Sequence, residues 1–204
     1  PNTAVLLFGG RPFAIPEIAE KAAGILEMWL PGTAGCLGIA DIISGKVSPC
    51  GRLSMSFPYC TGQYPISYSA FSTGRPKDNS VKGYIPFLSN YMDAPNIPLY
   101  PFGYGLTYTS FEYSPVTLSA VRLTMNGSIT AGVTVTNTGD RQGCETVQLY
   151  IRDLKGSVVR PLRELKGFKK ITLEAGGSAN VSFEITADML RFYGIDMELS
   201  LIHI

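Results

Sequence analysis

Leu99-Tyr100-Pro101-Phe102-Gly103-Tyr104-Gly105-Leu106-Thr107-Tyr108-Thr109-Ser110-Phe111 decides how this sequence divides. Aromatic residues alternate there with glycines around a single proline. Pro101 favours extended backbone, and Gly103 and Gly105 let the chain pass where a side chain would clash or reach positive φ. The rings of Tyr100, Phe102, Tyr104, Tyr108 and Phe111 carry a large apolar area. That suits a packed seam between two unlike halves, since free linkers are polar and rich in Gly and Ser. An exposed aromatic platform for a sugar or a partner is the other use of such a stretch.

Upstream of it the pattern is of the α/β kind. Residues 4–8 form a continuous apolar run closed by Gly9-Gly10, as expected of a strand buried on both faces of a mainly parallel sheet. Phe8-Gly9-Gly10-Arg11-Pro12 lacks the third glycine and the helix-opening spacing of a dinucleotide fingerprint. Pro16 suits the first helical position, with Glu17 and Glu20 in the favourable first turn. Ile18, Ala22, Ile25, Leu26 and Trp29 recur at helical spacing, which predicts one helix running to Pro31-Gly32. A second helix is predicted over 35–44 through Leu37, Ile39, Ala40 and Ile43, with Gly45 just past its end. Residues 53–57 alternate as a strand that stops at Pro58. The result is a β-α-α-β unit with edges that further strands must cover. Residues 60–98 show no sustained period, and so long an irregular segment is usually functional or draped over another domain. Within it Arg75 and Asp93 are ligand candidates, with a surface ion pair or a loop-fixing hydrogen bond as the ordinary alternative.

Downstream, strands are predicted over 116–123, 128–137, 145–152, 162–169 and 178–185, separated by turn signals at Asn126-Gly127, Gly139-Asp140, Lys155-Gly156 and Gly176-Gly177. Val133, Val135 and Asn137 alternate against Thr134 and Thr136, and Val147, Leu149 and Ile151 against Gln148, Tyr150 and Arg152. This is the pattern of a two-sheet antiparallel sandwich of the immunoglobulin or fibronectin type III kind. Asn126-Gly127-Ser128 and Asn180-Val181-Ser182 match the glycosylation triplet, but fit a hairpin and a strand better.

The 204 residues carry 17 basic and 16 acidic side chains, a net charge of +1. No basic stripe points to nucleic acid, and no apolar run approaches the roughly 18–20 residues of a membrane span. Cys36, Cys50, Cys60 and Cys144 form no Cys-x-x-Cys pair, so neither a metal nor a cofactor is expected. They read as free thiols, and spacing alone assigns no disulfide. Both ends read as cut. Residues 199–204 are also what CTG TCT CTT ATA CAC ATC encodes, a common sequencing-library adapter. We therefore expect them to be an artefact, and His203 within them to have no role.

Several segments, in order, resemble the C-terminal portion of family 3 glycoside hydrolases, in particular the bacterial periplasmic-type β-glucosidases. Gly10-Arg11-Pro12 follows the first strand. Ile25-Leu26-Glu27-Met28-Trp29-Leu30-Pro31-Gly32 is similar to ILEAWLPG, and Ile39-Ala40-Asp41-Ile42-Ile43-Ser44-Gly45 to IADVLFGD. Pro49-Cys50-Gly51-Arg52-Leu53-Ser54-Met55-Ser56-Phe57-Pro58 is similar to PSGRLPMSFP. Gly62-Gln63-Tyr64-Pro65 and Thr73-Gly74-Arg75-Pro76 follow, and the aromatic stretch resembles LYPFGYGLSYTTF. Val135-Thr136-Asn137-Thr138-Gly139, Val147-Gln148-Leu149-Tyr150 and Arg160-Pro161-Leu162-Arg163-Glu164-Leu165-Lys166-Gly167-Phe168 continue the series. The pattern departs at 44–48, where the acidic residue of FGDYNPSG is missing, and at Cys36-Leu37, where glycine and asparagine are common.

The resemblance implies a fold class of α/β, the end of an α/β sandwich domain over 1–68, followed by an all-β fibronectin type III-like sandwich over 112–198. Residues 69–111 become a connecting loop and hinge. It implies a parent that is a retaining β-glycosidase acting on a β-linked oligosaccharide or aryl glucoside, periplasmic or secreted. A β-xylosidase or arabinosidase of the same family, or a non-catalytic carbohydrate-binding sandwich, are the alternatives. Such an enzyme needs two carboxyl groups about 5–5.5 Å apart. No carboxylate here matches either family motif, so both are placed outside this chain, which is expected to be inactive alone. Glu17, Glu20 and Glu27 read as charges on a helix, and Glu164 as a strand residue paired with Arg163 or Lys166. Arg75, Tyr91 and Asp93 are the candidates for reaching the outer edge of the sugar site.

Overall fold

The computed structural model describes residues 2–78 and 83–201, so His203 lies outside the described residues. The chain forms two compact units. The first comprises Pro1–Val47 and Arg52–Gly105, the second Ser48–Gly51 and Leu106–Ile204.

In the first unit, strand β1 (Ala4–Leu7) pairs in parallel with β2 (Gly24–Glu27), Ala4 opposite Gly24 and Leu7 opposite Glu27. Helix α1 (Pro16–Lys21) lies between them in sequence. The helix therefore ends well before Pro31. Ala22 is already extended at ψ 140°, and the Ala23 N–H bonds Thr3 O at 2.9 Å, which puts the following residues into the sheet. Gly24 disfavours continuation of the helix, and a short apolar run such as Ile25-Leu26 satisfies helical and strand periodicity equally. The order is β-α-β-α. Strand β1 is not buried on both faces: Val5 and Leu7 are half-buried, Ala4 and Leu6 exposed.

Helix α2 (Gly35–Ile43) matches its predicted span, and Gly45 beyond it takes φ +76°, the left-handed conformation that a glycine at this position supplies cheaply. Residues 53–57 bend at Ser54-Met55 and form no regular strand, only a bridge at Phe57. Their partner is the aromatic stretch: Leu53 N–H bonds Tyr104 O and Phe57 N–H bonds Tyr100 O, both at 2.8 Å, and Gly103 N–H bonds Leu53 O at 2.7 Å. Gly103 sits at φ +80°, as its place in that turn requires. The rings pack on this frame, Tyr100 stacking on Tyr104 at 5.2 Å and Phe102 on Tyr68 at 4.1 Å.

The second unit holds the sandwich. β5 (Ser128–Asn137) is flanked by β8 (Ser178–Thr186) on one side, and on the other by β3 (Phe111–Tyr113) and β4 (Thr117–Leu118). β6 (Gly143–Ile151) pairs with β7 (Glu164–Leu173), with a register shift at Leu149/Tyr150. β9 (Arg191–Tyr193) pairs with β10 (Leu199–Leu201). The strand predicted over 116–123 shrinks to β4. Past Leu118 the Ser119 N–H bonds Thr130 O at 2.9 Å and the Ser119 hydroxyl accepts the Thr130 N–H at 2.8 Å, and Leu123 packs into the core.

Alternation places Ile129, Ala131 and Val135 of β5 inward, where they meet residues from the other sheet. Val135 and Val181 pack with Val147 and Leu173, and Ile129, Ala131 and Ile185 with Leu190. Phe111 borders the first of these clusters, so the end of the aromatic stretch belongs to this core. Asn180 takes a hydroxyl bond from Thr134 across the strands at 2.8 Å. Glu164 pairs with Arg160 at 2.9 Å and Lys166 at 3.6 Å, while Arg163 lies over the Tyr150 ring. Arg160 in turn covers the Phe192 ring at 4.5 Å.

Candidate functional site

The three sequence candidates sit on the irregular segment of the first unit, which polar side chains hold in place. Gln63, in a single 3-10 turn (Thr61–Gln63), is only 1% exposed. Its Oε1 accepts the Tyr59 and Cys60 N–H groups at 2.5 and 3.4 Å, and its Nε2 donates to Pro95 O at 2.5 Å. One side chain thus ties the start of the segment to its end. Asn90 closes the turn before it, accepting the Ile85 N–H at 3.0 Å and donating to Ile85 O and Leu88 O at 2.9 and 2.8 Å. Asn96 accepts the Tyr91 N–H at 3.0 Å and donates to Ser89 O at 2.7 Å. Asn does this readily because its amide mimics a peptide group.

Arg75 and Tyr91 are brought toward the same point by backbone. The Ser89 N–H bonds Arg75 O at 2.9 Å, next to a parallel bridge between Pro76 and Ser89. Tyr91 follows two residues later, anchored through Asn96, and Asp93 lies in the turn that Asn96 closes. All three side chains are exposed, Tyr91 by 43%. Neither Arg75 nor Asp93 forms an ion pair among the described residues, and the segment is fixed instead by Gln63, Asn90 and Asn96. The signal in the sequence for Asn90 and Asn96 was the frequency of Asn in turns, and for Gln63 its place in Gly62-Gln63-Tyr64-Pro65. Phe71, Tyr84, Phe87 and Met92 are also exposed, so the segment shows solvent an aromatic and polar surface.

An open cleft of about 460 Å³ lies elsewhere on this unit, lined by Pro16, Glu17, Ala19, Glu20, Tyr59, Leu99 and Tyr100. Burial pushes the Tyr100 phenol up, and Tyr104 and Tyr59 add to it. Glu17 is solvent-exposed and 4.0 Å from Lys21, an ordinary i,i+4 surface pair.

Glu27 does not sit on a helix. It ends β2, its Oε1 accepts the Trp29 N–H at 2.7 Å, and its Oε2 is buried with no hydrogen-bond partner. Trp29 takes φ +52°, a strained conformation for a bulky residue, which that bond helps to fix. Burial raises the Glu27 carboxyl above its ordinary value, with the Trp29 N–H acting in the opposite sense. A carboxyl held higher in the folded chain than in the unfolded one contributes stability below its unfolded value. That contribution is lost as pH rises through the folded value. Glu27→Gln keeps the acceptor for Trp29 and removes the charge. It is expected to raise Tm by about 2–4 °C near pH 7 and to have little effect near pH 4, as read by thermal melts on Trp29 fluorescence.

Among the described residues no group of three or more His, Cys, Asp or Glu could hold a metal ion, and no helix is long and apolar enough to cross a membrane.

Residues 1–108 match the glycosyl hydrolase family 3 C-terminal domain, and residues 145–200 a fibronectin type III-like domain. A periplasmic beta-glucosidase of Salmonella typhimurium is 44% identical over 194 residues, covering 95% of this chain and 25% of that protein. A putative beta-xylosidase of Formosa agariphila is 45% identical over 194 residues, covering 95% of this chain and 24% of that protein. The crystal structure of a beta-glucosidase from Listeria innocua in complex with glucose superposes with a TM-score of 0.92 at 41% identity. It covers 98% of this chain and 28% of that one. The chain therefore spans about a quarter of the length of these relatives. A match over more than half of its residues, backed by this superposition, shows that the chain belongs to the glycosyl hydrolase family 3 C-terminal domain family, with a fibronectin type III-like domain following.

Proposed function

We propose that this chain is the C-terminal quarter of a retaining β-glycosidase that removes terminal β-D-glucosyl residues from oligosaccharides or aryl glucosides. The observation that carries this reading is the match of residues 1–108 to the family domain, together with superposition of 98% of this chain on 28% of a beta-glucosidase. Residues 1–68 then close an α/β sandwich domain, 69–111 connect, and 112–198 form the fibronectin type III-like domain. Retaining chemistry places a nucleophile and an acid/base carboxyl on either side of the scissile bond. Neither is assigned here: Glu27 is spent on the Trp29 turn, and Glu17 and Glu164 sit in local ion pairs. The chain's own contribution is to support the catalytic domains. The Salmonella relative's name places that protein in the periplasm, which favours an exported parent.

Arg75, Tyr91 and Asp93 are proposed to reach the outer edge of the sugar site, because their side chains are solvent-exposed on a segment whose backbone is pinned at Ser89 and Asn96. Expressed as its whole reading frame, the parent is expected to hydrolyse aryl β-D-glucosides. Arg75→Ala should raise KM by about 3–10-fold with kcat largely kept, the mark of lost substrate binding. Unchanged kinetic constants on aryl glucosides and disaccharides would remove Arg75 from the site.

A β-xylosidase is the second reading, favoured by the 45% identity to the Formosa protein. The ratio of kcat/KM on glucoside and xyloside decides between them.

A further inference from the structure

We propose that Cys50 and Cys144 form a dithiol site in the second unit that closes to a disulfide under oxidising conditions. Cys50 lies in Ser48–Gly51, the short segment that belongs to this unit although it is distant in sequence from the rest. Cys144 is the second residue of β6, half-buried, opposite Thr172 of β7. Two contacts hold the segment against β6. The Cys144 side chain faces the Cys50 side chain, and the Thr146 hydroxyl donates to Cys50 O at 3.3 Å. Residues 144 and 146 point to the same side of a strand, so both contacts come from one face of β6. A third tie comes from the Ser48 hydroxyl oxygen, which accepts the Tyr108 N–H at 3.0 Å. The segment carrying Cys50 is thus fixed against the face of β6 that carries Cys144.

The other two cysteines are engaged separately. Cys36 is exposed at the start of α2, where its thiol contacts Thr33 O at 3.9 Å, and the Cys60 side chain caps the 3-10 turn at Gln63. All four thiols are free in this structure. Burial disfavours the Cys144 thiolate, as does the Cys50 thiol, while the Thr172 hydroxyl and the Lys170 charge favour it. The balance pushes the Cys144 thiol up, so the thiolate that exchange requires gains population as pH rises.

The oxidant is a small disulfide such as oxidised glutathione. One protein thiolate attacks a glutathione sulfur, giving a mixed disulfide and one glutathione thiolate. The neighbouring protein thiolate then attacks the protein sulfur, forming the Cys50–Cys144 bond and releasing the second glutathione. The two protein protons end on the released thiolates. The protein dithiol loses two electrons and the glutathione disulfide gains them.

The test uses the 204-residue chain incubated with oxidised glutathione, then alkylated, digested and mapped by mass spectrometry. The expected result is a loss of two hydrogens, protection of two of the four cysteines, and a cross-linked pair of peptides containing Cys50 and Cys144. Closing a loop of roughly 95 residues should also raise Tm by roughly 5–15 °C over the reduced chain. That comparison needs no variant. Cys144→Ser, with Cys50→Ser as its counterpart, should abolish both the cross-link and the reductant-sensitive shift. Alkylation of all four thiols, a glutathione adduct that never closes, or a cross-link between another pair would overturn the proposal.

Discussion

Asn137→Ala is expected to destabilise the second unit by about 3–4 kcal/mol, measured by urea unfolding followed by far-UV circular dichroism. Asn137 is 0% exposed at the end of β5. Its Oδ1 accepts the Thr109 hydroxyl at 2.6 Å and the Gly139 N–H at 3.1 Å. Its Nδ2 donates to Arg141 O at 2.8 Å and Leu173 O at 3.1 Å. Alanine leaves a hydroxyl, an amide and two carbonyls short of a partner around a buried side chain, and each unpaired group costs about 1–3 kcal/mol before relaxation. Asn137→Asp is expected to be no better. It keeps the two accepted bonds but turns the donor toward two carbonyls into a buried negative oxygen. Combining Asn137→Ala with Thr109→Val should recover about 1 kcal/mol of the summed single losses, because the hydroxyl orphaned by the first change is removed by the second. Strict additivity would mean that Thr109 is not held by Asn137.

Phe57→Ala is expected to cost the first unit about 3–5 kcal/mol, the range for truncating a buried aromatic. Phe57 is 2% exposed, with its ring centroid 6.2 Å from both Trp29 and Tyr100. Its backbone carries the pairing with the aromatic stretch, accepting the Leu99 N–H and donating to Tyr100 O, both at 2.8 Å. The truncation therefore opens a cavity at the point where two segments 43 residues apart are joined. Trp29 is the one tryptophan in the sequence, so its fluorescence reports this unit directly. Phe57→Leu, which keeps most of the volume, should cost under about 2 kcal/mol. Equal losses for Leu and Ala would mean that ring packing on Trp29 and Tyr100, and not filled volume, sets the stability.

The same residues show what could be read from the sequence. β5 was legible because ten residues alternate between turn signals, and the inward set Ile129, Ala131 and Val135 follows from period two alone. Asn137 was legible as a member of that face, but its four bonds were not. Two of its partners, Thr109 and Leu173, come from other segments, and no local pattern encodes them. Gln63 escaped for the same reason, since Pro95 is 32 positions away. β2 was missed because Ile25, Leu26 and Trp29 fit a helix face as well as a strand, and only pairing with β1 settles the choice. The contact between Cys50 and Cys144 is likewise a product of the fold, invisible in the spacing of four cysteines. The placement of Arg75 and Tyr91 near one bridged point depends on Asn96 and Ser89, whose role is a matter of turn chemistry at long range.

On the proposed function, this chain supports a β-glycosidase without carrying its catalytic carboxyl groups. The most direct test is the initial rate of aryl β-D-glucoside hydrolysis by the purified 204-residue chain. The expected rate is no higher than that of buffer at any concentration of the chain. Saturable hydrolysis proportional to the amount of chain and lost on unfolding would contradict it, because the nucleophile and the acid would then have to lie among the residues described above.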